Sequence, residues 1–267
     1  MTHLPNAPLI FTLGLVRFPT VPNMDRFVPA FHDALRDEMP HLDPLKLNQM
    51  QVQFGPEGLK VNNDELQVWQ IASPDRKFAF VLTPDSLVLH TNSYREHHQF
   101  IEMFKSALTK LIAVPEIGIN WVTSIAMRYI DLIVPRDGEK LNDLLDSSVL
   151  PPAFSGVANL EIVEGLYVAQ YRTTNANVRF QILRNPQAVL PPDVNTPLIQ
   201  KNNWAWPRPD NEFAVVDTDC STPLDGTIAL DVPIICDHMK ELRFVAKSIF
   251  EHIGTEGAKK RWEGIAS

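Results

Sequence analysis

Hydrophobic residues recur along the N-terminal part of this chain with two different periods, which predict strands and helices. Alternating apolar positions predict strands at 9–19, 47–54, 66–70, 78–82 and 87–91. Helical spacing predicts two amphipathic helices, one from Asn23 to Met39 and one over 93–111. Asn23 is a favourable N-cap, and Pro40 is expected to end the first helix.

The C-terminal part follows a similar order. After a strand at 121–134 that closes the N-terminal half, the pattern predicts a short helix around Leu141, strands at 160–171, 178–183, 213–219 and 227–232, and a last helix over 239–250. Each half therefore ends with strands that lead into a long amphipathic helix. We expect an α+β fold of two related halves, residues 1–135 and 136–267, closely packed as one globular unit. Each half is expected to be an antiparallel sheet with a long amphipathic helix packed on one face.

Composition narrows the classes of partner. The 267 residues include 24 Lys and Arg against 32 Asp and Glu, a formal net charge of −8, and the basic residues are scattered. Binding to a nucleic-acid backbone draws its energy from clustered cations, so nucleic-acid partners are disfavoured. The first residues lack a signal-peptide pattern, and no apolar run is long enough to span a bilayer, so we expect a cytoplasmic protein without a membrane partner. Cys220 and Cys236 are expected to be buried and reduced.

The standard sequence motifs of nucleotide-binding, zinc-dependent and serine-nucleophile enzymes are absent. The chain has no phosphate loop, no Gly-x-Gly-x-x-Gly turn, no His-Glu-x-x-His helix and no Gly-x-Ser-x-Gly elbow. We therefore expect no cofactor and no catalytic residue, and favour a binding protein over an enzyme.

Two clusters leave a metal site open as an alternative. Asp217 and Asp219 are expected on one face of a strand, and with His238 they could hold a divalent cation, although loop caps and solvated strand edges explain them as well. His97, His98 and Glu102 lie at the start of the second long helix. Adjacent histidines point about 100° apart on a helix, which favours solvated residues over metal ligands there. We expect no metal site.

Candidate binding residues come from a proline-rich stretch over 186–209. Trp204, Trp206 and Arg208 lie near its end, where two indoles are unusual in a connecting loop. They either fix the loop to the core or form an anchor for a partner, since Trp and Arg are frequent in binding hot spots.

Arg128 and Asp131 are two further candidates, because they interrupt an otherwise apolar strand. The Arg128 guanidinium either meets a carboxylate in a structural ion pair or binds an anion.

The strand from Ile125 to Ile133 resembles a strand of the TIGR04255 family, a sporadically distributed group of uncharacterised prokaryotic proteins of about this size. Trp69-Gln70, the segment from Phe78 to Leu87, Tyr94 before a helix and Phe250-Glu251 in a closing helix extend the similarity over nearly the whole chain. The chain departs from the family at Asp131, where an Asn is expected. The resemblance implies a cytosolic α+β protein, scattered among genomes in the manner of mobile or defence-linked genes, and it supplies no catalytic residue.

Three functions follow from these observations. The leading hypothesis is a non-catalytic accessory protein that recognises another protein, in a defence or toxin–antitoxin-like context, where an acidic surface could cover a basic site. The alternative is a metal-assisted hydrolase or small-ligand enzyme that uses the late Asp/His cluster. The third is an RNA-binding protein of two ferredoxin-like halves. Each of these three functions is compatible with a homo-oligomer.

Overall fold

One large antiparallel sheet forms the centre of the protein. The computed structural model describes residues 5–55, 58–150, 160, 162–194 and 206–264. The strands of this sheet are β1 Leu9–Arg17, β2 His41–Gly55, β3 Gly58–Ala72, β4 Phe78–Thr83, β5 Ser86–Thr91, β7 Ser124–Ile133, β8 Gly165–Arg172, β9 Asn177–Arg184 and β10 Ala214–Ser221. They lie in the order β2-β3-β4-β5-β1-β7-β10-β9-β8, and all pairs are antiparallel. Two short strands, β6 Trp121–Val122 and β11 Ile228–Ala229, pair separately.

The helices pack on one face of the sheet. They are α1 Val28–Leu35, α2 His97–Ile112, α3 Leu141–Leu144, α4 Val232–Ile253 and α5 Glu256–Trp262, with short 3-10 helices at Met24–Arg26 and Ser147–Val149. Their buried residues share one hydrophobic core with alternate strand residues, as Phe104 of α2 and Met239 of α4 do with Ile125 of β7. We call this side of the sheet the helical face and the opposite side the open face.

The open face has a smaller apolar cluster of its own. Phe11 of β1, Ile130 of β7 and Val215 of β10 form this cluster together with Val189 and Leu190, which follow β9. This part of the connection after β9 therefore lies over the middle of the open face and shields it from water.

The structure confirms an α+β protein with a large antiparallel sheet. Cys220 and Cys236 are buried free thiols, as expected. No helix in the described ranges has both the length and the apolar character that a membrane span needs.

Strands from both predicted halves belong to the same sheet. β7 of the N-terminal half pairs along its length with β10 of the C-terminal half. The division into two related halves at 135/136 stays a prediction.

Several predicted element boundaries are wrong. Asn23 does not cap α1: it precedes the 3-10 helix Met24–Arg26 with φ 56°, a left-handed conformation that Asn tolerates, and its side chain makes no capping hydrogen bond. The predicted strand at 47–54 begins earlier, at His41, and includes Pro44, which the position of β2 at the sheet edge permits. The predicted strand at 227–232 contains only β11, because Val232 already begins α4 with Asp231 as its N-cap.

Candidate functional site

Arg128 lies at the centre of a buried charge network on the open face. Its Nε donates to Asp217 Oδ1 at 2.8 Å and its Nη2 donates to Asp217 Oδ2 at 2.7 Å, which is a two-pronged pairing. Its Nη1 donates to Asp193 Oδ2 at 2.5 Å, and Gln181 Nε2 donates to Asp217 Oδ2 at 2.8 Å. Burial alone would lower the pKa of Arg128, but the hydrogen bonds to Asp217 and Asp193 outweigh it and raise the pKa. The geometry is that of a structural ion pair, with the guanidinium directed at carboxylates of this chain.

Asp131 lies on the opposite face of the same strand. Successive side chains of a strand point to opposite faces, so two residues three positions apart cannot share one. Asp131 pairs with Val216, whose side chain belongs to the core beneath the helices. Arg128 and Asp131, which the sequence analysis considered together, therefore belong to two different environments.

Burial dominates the chemistry of Asp131. The residue is 5% exposed, and no described residue donates a hydrogen bond to its carboxyl group. Burial, helped by the negative charge of Asp217 across the sheet, raises the pKa of Asp131 to about 8.

The late Asp/His cluster does not converge. Asp217 and Asp219 do share the open face, but the Asp217 carboxylate is occupied by Arg128 and Gln181. His238 lies on α4, on the other side of the sheet from Asp217 and Asp219, and its Nδ1 is 3.7 Å from the Glu241 carboxylate. Burial raises the pKa of Asp219. Within the described ranges, no group of three His, Cys, Asp or Glu side chains is placed to hold a metal ion.

The histidines at the start of α2 also have separate surroundings. Tyr94 and His97 are joined by a hydrogen bond of 3.0 Å between the hydroxyl group and Nδ1, and burial lowers the pKa of His97 to about 3. His98 is exposed, and Glu102 lies 3.7 Å from Lys105. The predicted neighbours therefore do not act as one group of ligands.

The tryptophan-bearing loop is described from residue 206 onward, and Trp204 lies outside the described residues. Trp206 is half-buried and packs against the apolar cluster of the open face. Arg208 Nε donates to the Pro186 carbonyl at 3.1 Å, and its guanidinium lies 5.4 Å above the centre of the Phe213 ring. Both contacts hold this part of the loop against the sheet. This is the first of the two roles considered for Trp206, in which it fixes the loop to the core.

Sequence reasoning missed an apolar surface at the edge strand β8. Leu166 and Val168 point to the open face and are 63% and 46% exposed, respectively. Tyr171 is also exposed, and Leu160 and Val163 precede the strand. The alternation in this segment predicted a strand, but only the strand order places it at the end of the sheet.

A polar groove runs along the open face beside β8. Arg172 of β8, Arg179 of β9 and Arg17 of β1 line it, and the small side chains of Ser124 and Ala126 are among the other lining residues. Arg17 pairs with Asp85 at 3.0 Å, and Arg172 donates to Asn177 at 3.0 Å. This arginine groove is lined by three guanidinium groups and one carboxyl group, that of Asp219, in a chain whose formal charge is −8.

Comparison with protein-family models and with curated proteins gives no match to this chain.

Proposed function

We propose that this protein is a non-catalytic binding protein that recognises another protein, and that the outer edge of β8 is the surface it uses. One observation carries the proposal. Of the eight large hydrophobic residues that are exposed in the described part of the chain, five lie within residues 160–171. Contiguous exposed apolar residues are typical of interaction surfaces.

The form of this surface favours an extended partner segment. β8 is the last strand of the sheet, and it pairs only with β9 among the described strands. An unpaired strand edge offers N–H and C=O groups in a row, so a partner segment can join as a further strand. Apolar side chains of that segment would pack against Leu166 and Val168 on the open face.

The arginine groove adds a charge preference. Arg172 and Arg179 lie on the same face as Leu166 and Val168, farther along β8 and β9, where Arg179 is opposite Gln170. An acidic side chain of the partner would meet these guanidinium groups. The excess of acidic residues in the sequence predicts that an acidic surface covers a basic site of the partner, whereas this groove favours an acidic segment of the partner. A second copy of the chain is less suited, because two molecules of formal charge −8 repel each other.

The biological setting is part of the same proposal. The resemblance of the Ile125–Ile133 strand implies a defence-linked context, and in that context we propose that the protein acts as an accessory subunit or antitoxin-like inhibitor.

The test compares lysine variants at two positions of similar exposure. Leu166, 63% exposed on β8, and Phe244, 59% exposed on α4, are each changed to Lys. Proteins captured from the native host are identified, purified and titrated against the parent and both variants. A charged side chain at the strand edge should weaken binding of the partner by at least roughly tenfold, about 1.4 kcal/mol, in Leu166→Lys and leave it unchanged in Phe244→Lys.

Other outcomes contradict the proposal. A partner that binds Leu166→Lys as tightly as the parent rejects β8, and a chain that captures nothing specific rejects protein recognition. Self-association that Leu166→Lys abolishes would replace the foreign partner with a second copy. If the protein binds a single-stranded RNA oligonucleotide and Arg179→Ala abolishes that binding, the third function, an RNA-binding protein, is favoured instead.

We also propose that residues 1–135 and 136–267 are related copies. In the N-terminal half, the antiparallel strands β3, β4 and β5 precede the long helix α2. In the C-terminal half, the antiparallel strands β8, β9 and β10 precede the long helix α4. The repeated order of three antiparallel strands and a long helix supports descent from one unit.

A further inference from the structure

A small cavity lies between the helical face of the sheet and α4. Its volume is about 140 Å³. An engineered apolar cavity of about 150 Å³ accommodates benzene, so this cavity is large enough for one small molecule. Part of its wall is apolar, because Leu9, Ala246 and Phe250 line it, and Asp131 and Thr218 of the sheet contribute polar groups.

Asp131 is the only acid among the described residues that line this cavity. The residue is 5% exposed, and no described residue donates a hydrogen bond to its carboxyl group. A buried polar group without a partner destabilises the fold unless something else satisfies it. A group of this kind in the wall of a cavity points to a ligand that hydrogen-bonds with it.

The basic groups of the wall are engaged with other side chains. Lys247 Nζ lies 3.0 Å from a carboxylate oxygen of Glu251, and Arg243 hydrogen-bonds to the Tyr94 hydroxyl group. Burial and a neighbouring carboxylate determine the pKa of Asp131, and no cation contributes to it. Asp131 therefore faces the cavity without a cation beside it, and the cations of the wall do not call for an anionic ligand.

The surroundings of Asp131 favour its neutral form. Burial and the negative charge of Asp217 across the sheet raise the pKa of Asp131 to about 8, so the group keeps its proton at neutral pH. A protonated carboxyl group offers an O–H donor beside a carbonyl acceptor. A primary carboxamide offers the reverse pair, an N–H donor beside a carbonyl acceptor, so the two groups match through two parallel hydrogen bonds.

We propose that this cavity binds a small uncharged molecule with a primary carboxamide group, which pairs with the Asp131 carboxyl group, and with an apolar tail against Leu9, Ala246 and Phe250. An amine would require Asp131 to ionise, and its charge would be repelled by the cations of the wall. A carboxylate has no N–H to donate to the Asp131 carbonyl oxygen. The inference is independent of the role of β8.

The pairing depends on the proton of Asp131. Ionisation removes the O–H donor and leaves an oxygen that repels the carbonyl of the amide, so affinity should fall as the pH rises through about 8. Since the ligand binds the protonated form, binding raises the pKa of Asp131 and takes up protons near pH 8. If only the protonated form binds, the dissociation constant rises about tenfold between pH 7 and pH 9.

The other titratable groups around the cavity do not account for such a change. Tyr94 and Tyr129 are hydrogen-bonded to each other, and burial raises the pKa of both above the ordinary value of a tyrosine. His97, which is bonded to Tyr94, has a pKa lowered to about 3 by burial. The remaining charged residues of the wall are the cations Arg95, Arg243 and Lys247.

The experiment titrates the full chain with a panel of primary amides from acetamide to benzamide, followed by NMR chemical shifts. Each amide is measured beside the amine and the carboxylate of the same carbon skeleton. We expect at least one amide to bind at least roughly tenfold more tightly than its amine and its carboxylate at pH 7, and about tenfold more weakly at pH 9.

Three variants locate the site. Asp131→Asn keeps a donor beside an acceptor, so it should still bind the amide but lose the pH dependence. Asp131→Leu has no hydrogen-bonding group, and should bind at least roughly tenfold more weakly while its circular dichroism spectrum stays that of the parent. Asp237→Leu removes an exposed acid of α4 and should bind like the parent.

Four results overturn the inference. They are a panel in which no amide binds, an amine or carboxylate that binds as tightly as its amide, an Asp131→Asn variant that keeps the pH dependence, and an Asp131→Leu variant that binds like the parent.

Discussion

At the scale of single residues, the carboxyl groups of Asp131 and Asp217 are both buried but have different hydrogen-bond surroundings. Asp217 is fully buried, and Arg128 and Gln181 both donate hydrogen bonds to its carboxyl oxygens. Asp131 is nearly as buried but has no donor among the described residues, and its pKa rises. The two carboxyl groups lie on neighbouring strands, so the direction of each side chain decides its chemistry.

Removal of the Arg128 guanidinium tests the structural part of this contrast. Arg128→Met leaves the carboxylate of Asp217 buried without its cation, and should lower the free energy of unfolding by about 3–5 kcal/mol in urea denaturation. Arg17→Met, which breaks the exposed pair with Asp85, should cost at most about 1 kcal/mol. If the two variants lose equal stability, Arg128 is not what balances the buried charge.

Part of this arrangement could be predicted from the sequence. The period of two in β7 already separates Arg128 from Asp131, since they are three positions apart. The partner of Arg128 could not be found in this way, because Asp217 lies 89 residues later in the chain and is brought near only by the register of β7 and β10. Local patterns carry no information about such a register.

At the scale of elements, the packing of α5 against the end of α4 depends on a missing side chain. A Cβ atom at Gly254 would lie 2.7 Å from Cζ3 of Trp262, whereas a Cβ atom at Gly257 would lie 3.9 Å from its nearest neighbour, Thr255 Oγ1. Trp262 is buried and stacks on Phe250 at 4.7 Å between ring centres. Gly254 therefore permits the close approach of α5.

Matched alanine substitutions test this packing. Gly254→Ala forces Trp262 to move and should destabilise the protein by about 1–3 kcal/mol. Gly257→Ala lies inside α5 in open space and should stabilise it by up to about 1 kcal/mol. Both are measured by urea denaturation, and a Gly254→Ala variant as stable as the parent would show that Trp262 is loosely packed.

The elements themselves were largely predictable, but their order in the sheet was not. Alternation identified β1, β7 and β10 as strands, because the side chains of each strand point alternately to the helical face and to the open face of the sheet. It could not place β1 between β5 and β7, since neighbours in a sheet are chosen by long-range packing. The same limit hid the exposed edge of β8: Leu166 and Val168 follow the ordinary pattern of a half-buried strand.

At the scale of the whole molecule, the two sides of the sheet have different roles in this account. The helical face contains the main core and the cavity at Asp131, and the open face contains the ion-pair network, the arginine groove and the apolar edge. A protein partner at β8 would therefore bind at the edge of the sheet, away from the main core.

The central claim is that a partner adds a strand to β8, and hydrogen exchange measures this most directly. Backbone amides of residues 165–172 are followed with and without the purified partner. Strand addition should slow the outward-facing amides of β8 by at least roughly tenfold, because they gain hydrogen bonds, while amides on the exposed side of α4 keep their rates. Unchanged exchange in β8, with protection elsewhere in the molecule, would contradict the claim.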